Sequence, residues 1–145
     1  MSPPLPKALF GDVLALARES WIREMARRVA RLGYHDYRRS DALALRWLVR
    51  GPFPLSTFTS ALGVSRQAAR KVVGGLVERD LALVNIDAGD SRRRIVQLTS
   101  RGRAYAGTVL EVLDSLNDEL ATKIDPDHLE STRFVLTFVK DNFGL

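Results

Sequence analysis

The feature that most restricts the fold of this chain is a pair of short helical segments separated by only three residues. The pattern of polar and apolar residues predicts a brief helix over Thr57–Leu62, capped by Ser56, and a second helix that begins after Ser65 and ends near Arg79. Gly63 lies between them, and glycine readily takes the left-handed conformation that a tight helix-to-helix turn requires. The sequence therefore predicts a helix-turn-helix.

The second helix of the pair has one apolar face and one polar face. Its apolar positions recur at helical spacing and are Ala69, Val72, Val73 and Leu76. Its polar positions are Arg66, Gln67, Arg70 and Lys71. In a major groove, Arg66 and Gln67 suit the edges of guanine and adenine, while Arg70 and Lys71 would reach further bases or phosphates. Ser65 and the free amides beside it favour a phosphate. The alternative is an ordinary solvated helix face.

Two short apolar runs after the helix pair predict a β-hairpin. The strands are expected over Leu81–Ile86 and Ile95–Leu98, and residues 87–94 between them are expected to form a long basic tip. Three consecutive arginines stand on this tip, namely Arg92, Arg93 and Arg94. Arg92 is the candidate for a narrow minor groove, where negative potential is concentrated. Asp90 is expected to hold a wing arginine by a bidentate contact and to shape the loop. The alternatives are a flexible exposed hairpin and a plain turn-forming aspartate.

Long amphipathic segments flank this central part. Apolar residues at three- and four-residue steps predict a helix over about 8–32, which Gly33 ends. Ser40-Asp41 offers an N-cap for a second helix, Thr99 caps a long helix after the hairpin, and Asp125 caps the last one, with Pro126 at its first position. The expected fold is mainly α (α+β), a winged helix-turn-helix with long N- and C-terminal dimerisation helices. Its parts are an arm and dimerisation helix (1–36), a DNA-binding lobe (37–102) and C-terminal dimerisation helices (103–145).

Charge and composition narrow the class of protein. The net charge is +5. Residues 62–103 carry nine basic and four acidic side chains, whereas residues 104–145 carry three and eight, so the positive charge is polarised as a phosphate-binding face requires. The chain has no cysteine and two histidines, which argues against a metal site or a cofactor. No apolar run is long enough to span a membrane and the N-terminus lacks a secretion signal, so a cytoplasmic protein is expected.

Four short stretches occur in a fixed order and spacing. They are Leu62-Gly63-Val64-Ser65, Leu76-Val77-Glu78-Arg79, Asp90-Ser91-Arg92 and Leu98-Thr99-Ser100-Arg101-Gly102. In this order the chain resembles the multiple-antibiotic-resistance regulator (MarR) family of winged-helix regulators. The resemblance implies a homodimer on a near-palindromic operator, with a small effector that is frequently aromatic or anionic. It also implies that Asp90 stabilises the wing and that Arg92 enters the minor groove.

Three features of the sequence depart from the pattern of that family: Asp80, Ala88 and the pair Gly74-Gly75. Asp80 stands where glycine usually ends the recognition helix, so a left-handed turn there is more strained, and Ala88 replaces a common proline before the wing. Gly74-Gly75 falls inside the recognition helix, where each glycine costs about 0.5–1 kcal/mol relative to alanine. Either the helix bends there, or one glycine admits a backbone or a phosphate.

The sequence thus predicts a sequence-specific DNA-binding transcriptional regulator, a repressor that a small molecule releases. The alternative is a winged-helix adaptor that binds protein and not DNA. An enzyme or ligand carrier is the third class, but no nucleophile, base and orienter can be named. Five aromatic residues either line an effector pocket or pack in the core and the dimer interface: Trp21, Tyr34, His35, Tyr37 and Trp47.

Overall fold

The computed structural model describes residues 1–4 and 9–144. Its helices are α1 (Phe10–Arg31), α2 (Asp41–Leu48), α3 (Thr57–Leu62), α4 (Arg66–Glu78), α5 (Ser100–Lys123) and α6 (Pro126–Asn142). Its strands are β1 (Phe53–Pro54), β2 (Ala82–Asp87) and β3 (Asp90–Leu98). The mainly α fold with a helix-turn-helix and a wing is confirmed. The predicted start of the first helix at residue 8 lies outside the described residues.

Of the five N-caps predicted from the sequence, Ser65, Asp125, Ser40 and Ser56 differ in backbone conformation, which decides whether the side chain caps its helix. Ser65 is extended (ψ 163°), and its Oγ accepts the backbone N–H of Ala68 at 3.1 Å. Asp125 (ψ 135°) likewise accepts the N–H of Asp127. Ser40 (ψ −7°) and Ser56 (ψ −28°) are already helical, and neither side chain caps its helix. These two predictions were wrong because a cap needs an extended backbone to turn its oxygen toward the first helical amides.

The sheet is antiparallel, with strand order β1-β3-β2. Phe53 of β1 pairs with Val96, and Val84 of β2 pairs with the same residue from the other side. The two-residue β1 was not predicted, because its apolar run is too short to show a strand period. Pro54 is tolerated there because β1 is an edge strand.

The chain divides into two compact units, Met1–Val112 and Leu113–Leu145. In the first unit, the core draws on α1, α2, α3, α4, the sheet and the start of α5, and its largest fully buried side chains include Met25, Leu45, Phe58, Leu76, Val96 and Val109. The second unit holds the end of α5 and all of α6. Within the described residues of α6 no side chain is buried, and Phe134 and Phe138 are 73% and 50% exposed. The three-part division expected from the sequence stays a proposal.

Two of the positions that depart from the family pattern, Asp80 and Gly75, have distinct surroundings in the structure. Asp80 ends α4 with φ of +58°, so the left-handed turn is present without the usual glycine. Its carbonyl accepts the hydroxyl of Thr99 at 2.7 Å, while the Thr99 Oγ also accepts the N–H of Gly102 and so caps α5. A Cβ at Gly75 would lie 2.8 Å from Nη1 of Arg38, the end of an exposed side chain that can move aside. This neighbour therefore does not require glycine at position 75.

Two features are absent from the described part of the chain. No helix there is both long and apolar enough to cross a membrane. No group of three or more histidine, aspartate or glutamate side chains there is placed to hold a metal ion.

Candidate nucleic-acid interface

The turn between α3 and α4 is built as the sequence predicts. Gly63 has φ of 63° and ψ of 36°, the left-handed conformation, and the N–H of Val64 returns to the carbonyl of Thr59 at 3.1 Å. Ser65 then caps α4, so the first turn of that helix begins at a defined residue. This geometry sets the direction in which α4 leaves α3, and with it the direction in which Arg66 and Gln67 point.

The two faces of α4 differ in solvent exposure. Ala69, Val73 and Leu76 are buried in the core of the first unit. The predicted contact residues are all exposed: Ser65, Arg66, Gln67, Arg70 and Lys71. One face of the helix therefore packs against the core, and the opposite face exposes basic and amide side chains to solvent.

The wing differs from the predicted long tip. β3 begins at Asp90, so the turn is only Ala88-Gly89, and the three arginines lie in the strand. The pairing with β2 breaks between Ile86, opposite Arg94, and Asp87, opposite Asp90. The prediction of a long loop was wrong because arginines have no strong strand preference of their own, and β2 pairs with residues on both sides of Arg92 and Arg93, so the strand continues through them.

The acidic residues of the wing differ from the expectation for Asp90. The Asp90 carboxylate does not hold a guanidinium; its Oδ1 accepts the backbone N–H of Arg92 at 3.0 Å and so shapes the turn. Asp87, which the sequence did not single out, lies 3.5 Å from Nη1 of Arg93. The predicted bidentate contact of Asp90 is corrected accordingly, whereas its predicted part in shaping the wing is present.

One cleft brings the helix and the wing together. It has a volume of about 450 Å³ and lies between α3, the start of α4 and β3. Its lining residues are Leu55, Ser56, Thr59, Ser60, Arg66, Ala69, Arg70, Arg92, Arg93 and Arg94. Of the predicted site residues, five arginines therefore share one concave surface. Ser65, Gln67, Lys71 and Asp90 lie outside its lining.

All the charged side chains that line this cleft are positive. Its lining carries five guanidinium groups and no carboxylate. Among the described residues, the side chains of Arg66, Arg70 and Arg92 have no ion-pair partner within 4 Å. Unpaired cations crowded in a groove repel each other, so the cleft is suited to an anion.

Three hydroxyl residues of the cleft were missed by sequence reasoning. Ser56, Thr59 and Ser60 stand on or beside α3 and face the arginines across the cleft. Hydroxyls often bind DNA phosphates alongside arginine and lysine. The signal that could have found them is the run of hydroxyl residues at 56, 57, 59 and 60 in a helix that otherwise carries apolar residues.

A second polar centre was not foreseen and lies in the core of the first unit. Asp41 is fully buried and accepts two hydrogen bonds from Arg79, from Nη2 at 2.7 Å and from Nη1 at 2.8 Å. The hydroxyl of Tyr105 donates to it at 2.6 Å and the backbone N–H of Arg38 at 3.0 Å. Arg79, which directly follows α4, also donates to the carbonyls of Gly75 and Asp36. This centre ties the end of α4 to α2 and α5.

Hydrogen bonds to Asp41 and burial shift the pKa values of groups in and beside this centre. The hydrogen bond to Asp41 raises the pKa of Arg79, against the opposing effect of burial. Burial first, and the hydrogen bond to Asp41 second, raises the pKa of Tyr105. Burial and the charge of Asp41 raise the pKa of Tyr37 to about 12. Near neutral pH Tyr105 therefore keeps its proton and remains a donor to Asp41.

A small pocket of about 190 Å³ opens beside this centre. It is lined by Gly33, Tyr34, His35, Asp36, Arg79, Leu81, Arg101 and Tyr105. The rings of Tyr34 and Tyr105 lie 5.0 Å apart. Tyr34 and His35 of the five aromatic candidates thus line a pocket. Trp47 instead packs edge-to-face on Phe53, which packs on Phe58.

The fold and the basic cleft define the class of structure as a winged helix-turn-helix with a cationic groove. Comparison with known proteins agrees. The chain is 32% identical over 72 residues to the HTH-type transcriptional regulator PetP of Rhodobacter capsulatus, a stretch that covers 49% of this chain and 43% of PetP. The chain thus matches less than half of the length of that relative. No family model matches the chain.

Solved structures extend the likeness to nearly the whole chain. The PcaV transcriptional regulator of Streptomyces coelicolor, solved with its natural ligand, superposes with a TM-score of 0.81 at 17% identity over 98% of this chain and 99% of PcaV. A variant of MarR from E. coli, solved with operator DNA, superposes with a TM-score of 0.75 at 16% identity over 91% of this chain and 94% of MarR. The chain therefore has the MarR winged-helix fold, and the resemblance found in the sequence motifs is confirmed at the level of the fold.

Proposed function

We propose that this chain is a sequence-specific DNA-binding transcriptional regulator, a homodimeric repressor that a small anionic molecule releases. The observation that carries the proposal is the cleft in which Arg66 and Arg70 of α4 face Arg92, Arg93 and Arg94 of β3. A DNA backbone would run through this cleft, with α4 in the major groove and the wing at the minor groove. The likeness to MarR, solved with operator DNA, supports it. A cytoplasmic location follows from a genomic DNA partner.

The homodimer is supported by apolar surface that a single chain leaves uncovered. Phe10, Val13 and Leu16 of α1 are about half exposed, as is Phe138 of α6, and Phe134 of α6 is 73% exposed. Apolar surface of this extent on two long helices is typical of a protein–protein interface. Two copies on a near-palindrome would place the half-site centres about 34–36 Å apart, one turn of DNA.

The proposal is tested on a duplex that the unaltered chain selects from a random pool. Arg66→Ala is expected to cost about 1–3 kcal/mol on that duplex and to relax preference at one base pair. Arg92→Ala is expected to weaken binding and to reduce the slope of log affinity against log salt by about one unit. Fluorescence anisotropy over a salt series measures both, and two chains per duplex is the expected stoichiometry.

Arg46→Ala provides the matched control, since Arg46 is exposed on α2, lies outside the cleft and carries the same charge. It should leave affinity and preference unchanged. Equal losses in all three variants would show that only net charge matters. A chain that binds neither the selected nor any random duplex at low salt would favour the alternative function, a winged-helix adaptor for protein partners.

The effector is proposed to be a small aromatic carboxylate in the pocket beside Asp41. The pocket is below the usual size for a drug-sized ligand and fits a single ring. Arg101 supplies a guanidinium group suited to a carboxylate, whereas that of Arg79 is already bound to Asp41, and Tyr34 and Tyr105 supply aromatic walls. The likeness to PcaV, solved with its natural ligand, is consistent with a ligand-responsive protein.

Benzoate serves as the probe of this pocket. We expect it to raise the melting temperature of the unaltered chain and to weaken binding of the selected duplex. Arg101→Gln should reduce benzoate affinity by about tenfold, the worth of a charge-assisted hydrogen bond. Arg103→Gln, on the same helix but outside the pocket, should not. Isothermal titration calorimetry compares them, and identical benzoate affinities in the two variants would refute the proposed location.

A further inference from the structure

The two adjacent glycines in α4 have different surroundings. Both lie inside a continuous helix, and neither has a positive φ, so neither is required by the backbone conformation. A Cβ at Gly75 would meet only the guanidinium of Arg38, the mobile end of an exposed side chain. A Cβ at Gly74 would not meet even that: outside the backbone of its own helix, no atom of the described residues lies within 4 Å of it. Nothing within the described chain accounts for glycine at position 74.

The position of Gly74 on the helix is defined by its spacing from the candidate contact residues. It follows Arg70 by four residues, Lys71 by three and Gln67 by seven, so all four lie on one face. All four are exposed, while the buried stripe of Ala69, Val73 and Leu76 lies on the other side. Gly74 is therefore an exposed position without a side chain, one helical turn beyond Arg70 and Lys71 on the face that would meet DNA.

We propose that Gly74 is a specificity-determining residue, whose bare backbone lets α4 sit deeply enough in the major groove for its neighbours to reach base edges. The inference rests on the proposed function. A Cβ would extend about 1.5 Å from the helix backbone toward the groove. Hydrogen bonds to bases need donor–acceptor distances of about 2.7–3.2 Å, so a displacement of that size breaks them. Contacts to phosphates by long arginine and lysine side chains tolerate it, because these side chains can readjust.

The test is Gly74→Ala, whose effects on folding and on binding are expected to have opposite signs. Alanine is the better helix former and meets no atom of the described chain, so the melting temperature should rise by about 2–4 °C. Affinity for the duplex selected by the unaltered chain should fall by about tenfold or more, while affinity for random duplex stays within about twofold. A loss of specific binding in a more stable protein cannot come from unfolding.

Gly107→Ala is the matched control, because Gly107 is exposed in α5 and also has no described atom within 4 Å of a built Cβ. It should raise the melting temperature without changing either affinity. Unchanged or tighter specific binding by Gly74→Ala would overturn the inference, as would an equal loss on both duplexes. If the unaltered chain itself prefers no duplex, the proposed function fails, and the preference of the unaltered chain is measured before any variant is compared.

Discussion

Replacing Asp41 by alanine is expected to lower the free energy of unfolding by about 3–5 kcal/mol, the usual result of removing one partner from a buried ion pair. The Arg79 side chain is 12% exposed and that of Asp41 is 1% exposed, so water cannot take the place of the lost carboxylate. The hydroxyl of Tyr105 and the backbone N–H of Arg38 lose their acceptor in the same substitution. The cost thus combines an uncompensated charge with two unsatisfied donors.

Asp36→Ala is the control for this variant. The Asp36 carboxylate lies 4.0 Å from Nε of the same arginine but is 68% exposed, so its loss should cost at most about 1 kcal/mol. The hydrogen bond from Arg79 to the backbone carbonyl of Asp36 is kept. Urea denaturation near pH 7, at one protein concentration because self-association would shift the midpoint, compares the two. Equal losses would show that the Asp41 pair contributes no more than a surface pair.

Gly102→Ala is expected to destabilise the chain by about 3 kcal/mol or more, because its methyl group has no room. A Cβ at Gly102 would lie 1.8 Å from the carbonyl oxygen of Leu81 and 2.7 Å from the carbonyl carbon. Both are backbone atoms, which cannot rotate away as a side chain would. The same carbonyl accepts the N–H of Thr99 at 3.0 Å, so a shift that relieves the clash also breaks that bond. The start of α5 would then separate from the segment that joins α4 to β2.

The same chemical change elsewhere on α5 should have the opposite sign. Gly107→Ala is expected to raise the free energy of unfolding by about 0.5–1 kcal/mol, since it adds a better helix former in open space. Thermal denaturation of the two variants under one condition gives the comparison. A Gly102→Ala protein as stable as Gly107→Ala would mean that α5 and Leu81 are not held in close contact.

Much of the candidate site follows from signals that act over a few residues. The left-handed Gly63, the Ser65 cap and the apolar period of α4 together determine that Arg66, Gln67, Arg70 and Lys71 are exposed on one face. Each of these signals depends on neighbours within about one or two helical turns, which a sequence displays directly. The mainly α fold with its helix pair and hairpin was predictable for the same reason.

The errors fall where backbone hydrogen bonds, which residue types do not reveal, set the outcome. The arginines of the wing belong to β3 because β2 pairs with Arg94 and, beyond an irregularity, with Asp90, so the strand continues through the residues between them. The caps expected at Ser40 and Ser56 failed because each serine lies inside a hydrogen-bonded turn, which joins Asp41 to Arg38 and Phe58 to Leu55, and is therefore helical. In each case a side-chain preference of modest energy yielded to the conformation of the backbone.

By itself, then, the order of residues determined the helices, the turn and the exposed basic face, since periodicity and capping are local properties. Only the tertiary structure decided that Asp41 is a buried counterion and not a helix cap, because its partners Arg79 and Tyr105 are 38 and 64 residues away in the chain. It also decided where a glycine is needed. A Cβ at Gly102 would collide with the backbone of Leu81, whereas a Cβ at Gly74 would meet no described atom outside its own helix, a difference that exists only once the segments are packed.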